Sequence, residues 1–476
     1  MLLYSQYHDC STKTDTRLSS ADMVSLVRNK ALFSIARRFS TSCSARQQAR
    51  EAETADGEAV RLAAAQMGTM MDIGGRNIFN SDHDMFREQV RRWMRERLAP
   101  LQVSFEEEGQ PSKEIWREMG AQGMLGVSIP AEVGGIGASF LEEAIVAEEM
   151  SYANCASPAM AVHSTICMPY LVHYGTKDQQ ERYIPAMTAG ECVASVGMTE
   201  PDAGSDLQGM RTTAKRDGDD WIINGSKIYI TNGWLTDCCI VCAKTKSDSK
   251  RAAHGISLFL VDADTKGFHK GRKLKKLGLK AQDTAELFFE DVRVPGSALL
   301  GKENGGFYQL MEQLPQERLI IAVHSAAHCE VMFEETREWV RQRKAFGRTV
   351  ADLQTVQHKL AELKTSIAVC RAFIDQCLDL HANQKLDSSM ASMAKYWATD
   401  LENKVAADCL QLHGGWGFMW ETNIAKSYAD ARYSIDSDSQ IKHSYLETFI
   451  ALLIRNPNVI SNLLLCVYPI LTPCLL

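Results

Sequence analysis

Apolar residues in the first part of the chain recur at helical spacing. After about residue 80 and up to residue 187 they return every three or four positions, as at Phe86 and Val90, and this is the spacing of one face of an α-helix. Ser81 or Asp82 can cap the first of these helices, and Ser139 can cap a later one. This part of the chain is therefore predicted to be helical.

The apolar period changes to two between about residues 189 and 294, which indicates β-strands. Short strands with turn signals and no helices between them favour a compact antiparallel barrel or sandwich. Residues 217–220 read Asp-Gly-Asp-Asp and separate two extended runs. Within the second run, both residues of Asn224-Gly225 tolerate positive φ, so we predict a hairpin turn at this pair.

Helical spacing returns between about residues 305 and 432, in long stretches that indicate a helical bundle. Two apolar stripes carry this prediction. The first consists of Leu360, Leu363, Ile367, Cys370 and Ile374, and the second of Met393, Trp397, Leu401, Val405, Cys409 and Leu412. The chain is therefore predicted to be an α+β multidomain protein with an N-terminal helical domain (73–190), a middle antiparallel β-barrel or sandwich (191–300) and a C-terminal helical bundle (301–432).

Composition and charge exclude some of the functions that this chain could have. The chain has 476 residues, of which 45% are hydrophobic, and its formal net charge of −7 argues against a nucleic-acid-binding protein. Its 14 cysteines are irregularly spaced. Cys239 and Cys242 form a single C-x-x-C without the second pair that a zinc site needs, so we expect buried, reduced thiols. His324 and His328 stand four residues apart, but Ser325 breaks the H-E-x-x-H zinc pattern, and no metal site is expected.

The N-terminal segment is typical of a mitochondrial transit peptide. Residues 23–50 contain six basic residues and no acidic one, and Arg-rich, Ser-rich, acid-poor segments of this kind direct proteins to mitochondria. We predict a transit peptide and N-terminal extension in residues 1–50, with cleavage near Phe39 and localisation in the matrix. Residues 1–22 contain three aspartates, which suit a transit peptide poorly, so Met23 is an alternative start.

Three short motifs carry a resemblance to a known family. Residues 198–206 read MTEPDAGSD between two predicted strands, residues 313–318 read QLPQER, and residues 411–415 read QLHGG. Together they resemble the flavin-binding framework of the acyl-CoA dehydrogenases. The resemblance covers roughly residues 73–432 and is strongest to the mitochondrial long-chain branch of the family, whose order of helices, β domain and helices matches the pattern above.

The resemblance implies FAD-dependent α,β-dehydrogenation of a fatty acyl-CoA to the trans-2-enoyl-CoA. In that reaction a base removes the α-proton while a hydride leaves the β-carbon for the flavin. The family places its base in one of two positions, and the Q-E-R sequence matches the one on a helix, so Glu317 is the candidate base. Without the resemblance, Glu317 would be interpreted as a surface carboxylate paired with Arg318 or Arg337. Pro315, Gln316 and Arg318 are implied to lie at the substrate.

The resemblance also implies contacts with FAD from the middle domain. These are Met198, Thr199, Gly204, Ser205, Tyr229, Ile230 and Thr231. Ser205 would contact both flavin and substrate, and Thr231 would place a hydroxyl near flavin N5. Tyr229 takes the aromatic position beside the isoalloxazine ring, although an aromatic residue in a strand is more often part of the core.

A further set is implied to hold the FAD of a neighbouring subunit. It consists of Arg343, Phe346, Gln354, Gln411, Leu412, His413, Gly414 and Gly415. A guanidinium such as that of Arg343 gives the FAD pyrophosphate two parallel charge-assisted hydrogen bonds, and the two glycines let the backbone approach phosphates closely. Shared sites would require an oligomer, and the norm in the family is a homotetramer.

The resemblance stops after Arg432. Family members continue with a flavin-contacting loop that contains a G-G-T-N-E or E-G-T type motif, whereas residues 433–440 here read YSIDSDSQ. Residues 433–476 are therefore predicted to form a divergent apolar tail. Its last part, residues 459–476, is interrupted by two prolines and favours local packing over a membrane anchor.

Two function classes follow. The leading one is a dehydrogenase of long-chain acyl-CoA in mitochondrial β-oxidation, with electron-transfer flavoprotein as acceptor and peripheral association with the inner mitochondrial membrane. Isovaleryl-type activity on branched short chains and a flavin oxidase are alternatives within the enzyme class. The other class is a catalytically impaired scaffold or assembly protein, because the flavin-contacting loop is replaced.

Overall fold

The structure is a computed structural model that describes residues 68–72, 76–246 and 255–436. The predicted transit peptide and the apolar segment 459–476 lie outside the described residues. Helices before the sheet are α1 (Ser81–Trp93), α2 (Gln102–Glu108), α3 (Lys113–Ala121), α4 (Phe140–Tyr152), α5 (Met168–Tyr174) and α6 (Lys177–Thr188). A π-helical turn at Met94–Leu98 extends α1, and another at Ala161–Cys167 leads into α5.

The caps of these helices follow local side-chain chemistry. Ser139 caps α4 and forms a capping box with Glu142, as predicted. The predicted cap of α1 was wrong by one or two residues, because Asn80 is the N-cap. Its side chain accepts hydrogen bonds from the backbone N–H groups of Asp82 and His83. An asparagine side chain is as good an N-cap as serine or aspartate.

The middle of the chain forms eight strands in one sheet. They are β1 (Ala194–Gly197), β2 (Thr213–Asp217), β3 (Asp220–Thr231), β4 (Cys238–Lys244), β5 (Ile256–Asp262), β6 (Phe268–Lys273), β7 (Thr284–Val294) and β8 (Leu299–Leu300). Seven follow the order β6-β7-β3-β2-β4-β5-β8, and β1 pairs with β4. Most pairs are antiparallel, as predicted, but β1 runs parallel to β4 and β2 touches β4 in parallel.

The hairpin predicted at Asn224-Gly225 was wrong. Strand β3 runs straight through this pair, and the turn that joins β2 to β3 is the Asp217–Asp220 segment instead. Asn224 and Gly225 sit at a bulge in the pairing of β3 with β7, where the Asn224 amide donates to Asp291 Oδ1 at 3.0 Å. A bulge uses the same permissive residues as a turn, so the dipeptide alone does not separate the two.

We expect Gly225→Ala to destabilise the middle sheet more than Gly218→Ala. Both glycines have positive φ, but a Cβ at Gly225 would lie 2.4 Å from Thr212 Oγ1, whereas one at Gly218 meets no atom within 4 Å. Overpacking adds about 1–3 kcal/mol, and the left-handed backbone alone costs about 1 kcal/mol. Thermal melts of the two variants check this, and equal melting temperatures would contradict it.

The C-terminal part consists of α7 (Gly306–Gln342), α8 (Gln354–Ala382), α9 (Ser388–Leu412) and α10 (Asn423–Asp436), with a small hairpin of β9 (Lys344–Ala345) and β10 (Arg348–Thr349) after α7. The stripe predicted on α8 packs into the bundle. The stripe on α9 was partly wrong, since Trp397 is 48% exposed. Ala391, Ala394 and Ala398 are buried there instead.

A buried ionic network ties the N-terminal helices to the bundle. Arg371 on α8 donates to Glu148 Oε1 at 2.7 Å and to Glu330 Oε1 and Oε2 at 2.8 and 2.6 Å. Arg76 and Arg87 also bond Glu148. The pKa of Glu148 lies well below its usual range: burial would raise it, but these three guanidinium groups outweigh the burial. The network therefore consists of charges that compensate one another.

The cysteines and histidines of interest have ordinary structural roles. Cys239 and Cys242 are buried free thiols in β4, as predicted. His324 contacts Ser151 Oγ at 3.1 Å, and His328 contacts Glu402 Oε1 at 2.6 Å. Among the described residues, no group of histidine, cysteine or acidic side chains could hold a metal ion. No described helix is long and apolar enough to cross a membrane.

Candidate active site

Glu317 lies in a buried position where α7 faces α5. Its side chain is 3% exposed, and Oε1 accepts a hydrogen bond from the Tyr170 hydroxyl at 2.9 Å. Arg337 pairs with Glu334 at 2.6 Å instead. The interpretation of Glu317 as a surface carboxylate is therefore wrong, and burial is one of the means by which a carboxylate is adapted to act as a general base.

The residues around Glu317 on α7 attach this helix to two neighbours. The Gln316 amide donates to the Thr165 carbonyl oxygen at 2.9 Å, within the π-helical turn that precedes α5. Arg318 is also buried and donates to Ser392 Oγ on α9 at 2.7 Å. Pro315 lies inside α7 and is half-buried. Arg318 thus joins α7 to the bundle, on a different side of the helix from the Tyr170 contact.

The loop of residues 198–206 lies against the edge of β3. The Lys227 ammonium donates to the Met198 carbonyl oxygen at 3.0 Å, and the Ile228 N–H donates to the Thr199 carbonyl oxygen at 3.0 Å. Lys227 also forms a buried ion pair with Glu200 at 2.7 Å. Burial would raise the pKa of Glu200, but Lys227 and neighbouring hydrogen-bond donors hold it below its ordinary value. The loop is therefore fixed in place by a charge pair.

An open polar surface adjoins this loop. Ser205 is exposed, and a Cβ added at Gly204 would meet no atom within 4 Å. Tyr229 is 65% exposed and has a φ of 61°, at an irregularity in the pairing of β3 with β7. Its side chain is therefore not part of the core. Ile230 is buried and Thr231 is half-buried. The middle-domain residues implied by the sequence thus lie on this loop and on the end of β3 that follows its contacts with the loop.

A second concave surface lies at the far end of α7. It is a cleft of about 510 Å³ that Arg343 shares with Gln411, Leu412, His413, Gly414 and Gly415. Trp339 stacks on His413 at the cleft wall, with ring centroids 5.1 Å apart. Gly414 has a φ of 60°, and a Cβ at Gly414 or Gly415 would meet no atom within 4 Å. The cleft therefore exposes backbone atoms that no side chain covers, together with the guanidinium of Arg343, to a ligand.

Two predicted residues near this cleft do not line it. Phe346 is at the turn between β9 and β10 and is 92% exposed, and Gln354 is exposed at the start of α8. Both therefore project from the surface of this chain.

Glu317 and the cleft are far apart. Glu317 and Arg343 are separated by 26 positions along α7 and the residue that follows it, and at 1.5 Å per residue this is about 39 Å. This distance exceeds the length of an extended FAD molecule. One FAD molecule therefore cannot reach both Glu317 and Arg343 of the same chain.

Sequence reasoning missed the roles of four side chains at these sites. Tyr170 donates a hydrogen bond to Glu317, the Lys227–Glu200 ion pair holds the loop, and Trp339 lines the cleft. Glu200 belongs to the 198–206 motif, and a buried carboxylate requires a partner, so the motif itself signals such a pair. For Tyr170 the sequence has no signal, because it is 147 positions from Glu317.

Comparisons with known proteins assign the fold. Family models match as "Acyl-CoA dehydrogenase, N-terminal domain" over residues 80–191, as the middle domain over 195–292 and as the C-terminal domain over 304–434. The chain is 59% identical over 376 residues to rat "Long-chain specific acyl-CoA dehydrogenase, mitochondrial", covering 79% of this chain and 87% of the rat protein. The limits predicted above for the three domains stay predictions.

Similar solved structures support the same assignment of the fold. An acyl-CoA dehydrogenase from Geobacillus kaustophilus has a TM-score of 0.78 and 40% identity, covering 79% of this chain and 99% of that one. A glutaryl-CoA dehydrogenase from Mycobacterium smegmatis "in complex with FADH2" has a TM-score of 0.74 and 27% identity, covering 79% and 95%.

The residues present fit the family's cofactor, FAD. The exposed guanidinium of Arg343 and the backbone without side chains at Gly414 and Gly415 suit a pyrophosphate. The exposed Tyr229 on β3 and the open space at Gly204 suit a flat ring system. With the matches above, this makes the chain an FAD-dependent oxidoreductase that belongs to the acyl-CoA dehydrogenase family.

Proposed function

We propose that this protein dehydrogenates long-chain fatty acyl-CoA at the α,β position, with Glu317 as the base that takes the α-proton. The observation that carries the proposal is the buried Glu317 carboxylate, held by Tyr170 at 2.9 Å on the helix where the Q-E-R sequence implies a base. The long-chain assignment is supported by the 59% identity to the rat enzyme of that name.

The protein's own residues would act by binding, orientation and proton uptake. FAD, when bound, supplies the two-electron acceptor for the β-hydride. Ser205 and the backbone of residues 198–204 would hold the flavin end of the site, with Tyr229, Ile230 and Thr231 beside the ring. Gln316 and Arg318 would position the base helix, through Thr165 and Ser392 respectively. Burial of Glu317 keeps water away from the proton transfer.

The 39 Å separation leads us to infer that each FAD is held by two chains. Glu317 of one chain and the cleft of another, with its exposed Phe346 and Gln354, would complete one site. The protein would therefore be active only as an oligomer, and a homotetramer is the arrangement that the family suggests. An isolated chain would lack the pyrophosphate half of every site.

We expect Arg343→Ala to weaken FAD binding by about 10- to 100-fold, since a charge-assisted contact to phosphate contributes about 1.5–3 kcal/mol. Titration of the apoprotein with FAD, followed by flavin fluorescence, measures this. Arg341→Ala is the matched control, because Arg341 lies two residues away, is exposed, and is not among the residues that line the cleft. Equal affinities of the two variants would contradict a role for Arg343 in FAD binding.

The cellular setting is proposed from the relatives and the N-terminal segment. Rat, mouse and pig relatives are named as mitochondrial, and residues 23–50 have the composition of a transit peptide. We propose a matrix enzyme of β-oxidation that passes electrons to electron-transfer flavoprotein, with peripheral association with the inner membrane.

An anaerobic visible spectrum of the purified protein tests the function. Bleaching of the bound flavin by palmitoyl-CoA, and its recovery on addition of electron-transfer flavoprotein, are the expected results. Faster bleaching by isovaleryl-CoA would replace the long-chain assignment by the branched short-chain one. If no acyl-CoA bleaches the bound flavin, the protein is a catalytically impaired scaffold or assembly protein instead.

A further inference from the structure

Tyr170 is a buried tyrosine whose hydroxyl donates to the candidate base. It has no exposed surface and belongs to the same buried cluster as Leu310 on α7 and Ile240 and Leu258 on the sheet. Its hydroxyl lies 2.9 Å from Glu317 Oε1. Burial, followed by the negative charge of Glu317, raises the pKa of Tyr170 well above its usual value. The hydroxyl therefore stays protonated and donates throughout the accessible pH range.

The position of Tyr170 is set by an irregular helix. The π-helical turn at Ala161–Cys167 runs directly into α5, and such turns change the rotational phase of the helix that follows. Gln316, the residue before the base, donates to the Thr165 carbonyl oxygen of that turn at 2.9 Å. Two consecutive residues of α7 are therefore fastened to the same segment, one by a side-chain amide and one by the Tyr170 hydroxyl.

Burial keeps several titratable groups near Glu317 neutral. Cys167 and Tyr174, on either side of Tyr170 in the sequence, and Cys242 on β4 interact electrostatically with Glu317. Burial raises the pKa of Tyr174 and of the Cys242 thiol to about 12, and that of Cys167 well above its usual value. Arg318, the next residue on α7, is charged and donates to Ser392 Oγ. The Tyr170 hydroxyl donates directly to the Glu317 carboxylate.

We propose that Tyr170 is a positioning residue for the base: its hydroxyl fixes the rotation of the Glu317 carboxylate and stabilises the ionised form that accepts the α-proton. The inference rests on the proposed function, since it requires Glu317 to be the base. A buried carboxylate that loses a hydrogen-bond donor is held less firmly and is more readily protonated, and both changes reduce the fraction of molecules ready to react.

Tyr170→Phe tests the role, because it removes the hydroxyl and keeps the ring. We expect the kcat for palmitoyl-CoA near neutral pH to fall by about 10- to 100-fold, which corresponds to the loss of one hydrogen bond to a charged group, while KM stays within a few-fold of the original. The acid limb of the kcat profile should move to higher pH, because a hydrogen bond to a carboxylate favours its charged form.

A second readout isolates the base from the redox step. In a 3-thia acyl-CoA, sulfur replaces the β-carbon, so hydride loss is impossible, but exchange of the α-hydrogens with D₂O still reports proton abstraction. Mass spectrometry should show exchange slowed in Tyr170→Phe and abolished in Glu317→Gln. Wild-type exchange in Glu317→Gln would overturn the proposed base and with it this inference. A second outcome would overturn only the role of Tyr170 and leave Glu317 as the base. In that outcome Glu317→Gln loses exchange, whereas Tyr170→Phe keeps the wild-type exchange rate and the wild-type pH profile.

Tyr152→Phe is the matched control. Tyr152 is also buried, and its hydroxyl donates to a buried glutamate, Glu330. Glu330 lies 13 positions beyond Glu317 on α7, about 20 Å along the helix. This variant should lose comparable stability but retain wild-type exchange and pH profile. A Tyr152→Phe protein as slow in exchange as Tyr170→Phe would attribute the effect to core packing and overturn the proposal.

An isosteric replacement covers the case in which Tyr170→Phe does not fold or hold flavin. 3,5-Difluorotyrosine at position 170 keeps the ring and the hydroxyl but is a stronger hydrogen-bond donor. The acid limb should then move to lower pH, opposite to the phenylalanine variant. An unmoved limb would overturn the proposal.

Discussion

Replacing Glu317 by Gln is expected to abolish turnover, with flavin reduction by palmitoyl-CoA slowed by about 10³-fold or more. The amide has the shape of the carboxylate and can still accept the Tyr170 hydrogen bond, which lies at 2.9 Å. However, it cannot take a proton from the substrate, and general-base catalysis contributes about 10²- to 10⁴-fold. Anaerobic stopped-flow spectroscopy of flavin bleaching measures the rate.

The control for this variant is Glu312→Gln. Glu312 is on the same helix, is exposed, and accepts a hydrogen bond from Tyr174 at 2.7 Å rather than from Tyr170. It should bleach at nearly the wild-type rate. If Glu317→Gln keeps its flavin and bleaches as fast as Glu312→Gln, the base must be sought outside α7.

Replacing Arg371 by Met is expected to cause the largest loss of stability. The methionine fills similar space but removes the guanidinium that bonds Glu148 and Glu330 at 2.6–2.8 Å. Glu148 keeps Arg76 and Arg87, whereas the buried Glu330 loses its ion pair. Removing one partner from a buried ion pair costs about 3–5 kcal/mol, because the remaining charge, here that of Glu330, is no longer compensated by that partner. We expect the melting temperature to fall by roughly 5–10 °C, as differential scanning fluorimetry would show.

Arg97→Met provides the comparison. Arg97 forms a bidentate pair with Glu118 at 2.6 and 2.7 Å, but the two side chains are 45% and 29% exposed. Surface pairs contribute little, so its melting temperature should not change measurably. Equal losses in the two variants would mean that burial of the Arg371 network is irrelevant to its contribution.

The order of domains and most helix positions could be predicted from the sequence, because each depends on local spacing. The Ser139 cap and the α8 stripe are examples. The Asn224-Gly225 bulge and the exposed Trp397 could not be predicted in this way. In both cases the local pattern is compatible with two structures, and a partner distant in the chain decides between them.

Part of the candidate site could be predicted from the sequence and part could not. Residues 343 and 411–415 line one cleft. The family resemblance predicts this, because members of a family share a fold and therefore the positions of their motifs. The burial of Glu317 and its donor Tyr170 required coordinates, since α5 and α7 are brought together by packing rather than by sequence proximity.

The length of α7 has a consequence for genetics. Glu317 and Arg343 of one chain are about 39 Å apart along the helix, so each site takes Glu317 from one chain and Arg343 from another. The losses of activity caused by two defective alleles then need not add. In a mixed pair of Glu317→Gln and Arg343→Ala chains, one site combines both lesions and the other contains neither. Cells carrying both alleles would therefore regain part of the activity that each allele loses alone, so the two mutations would complement each other in a heterozygote.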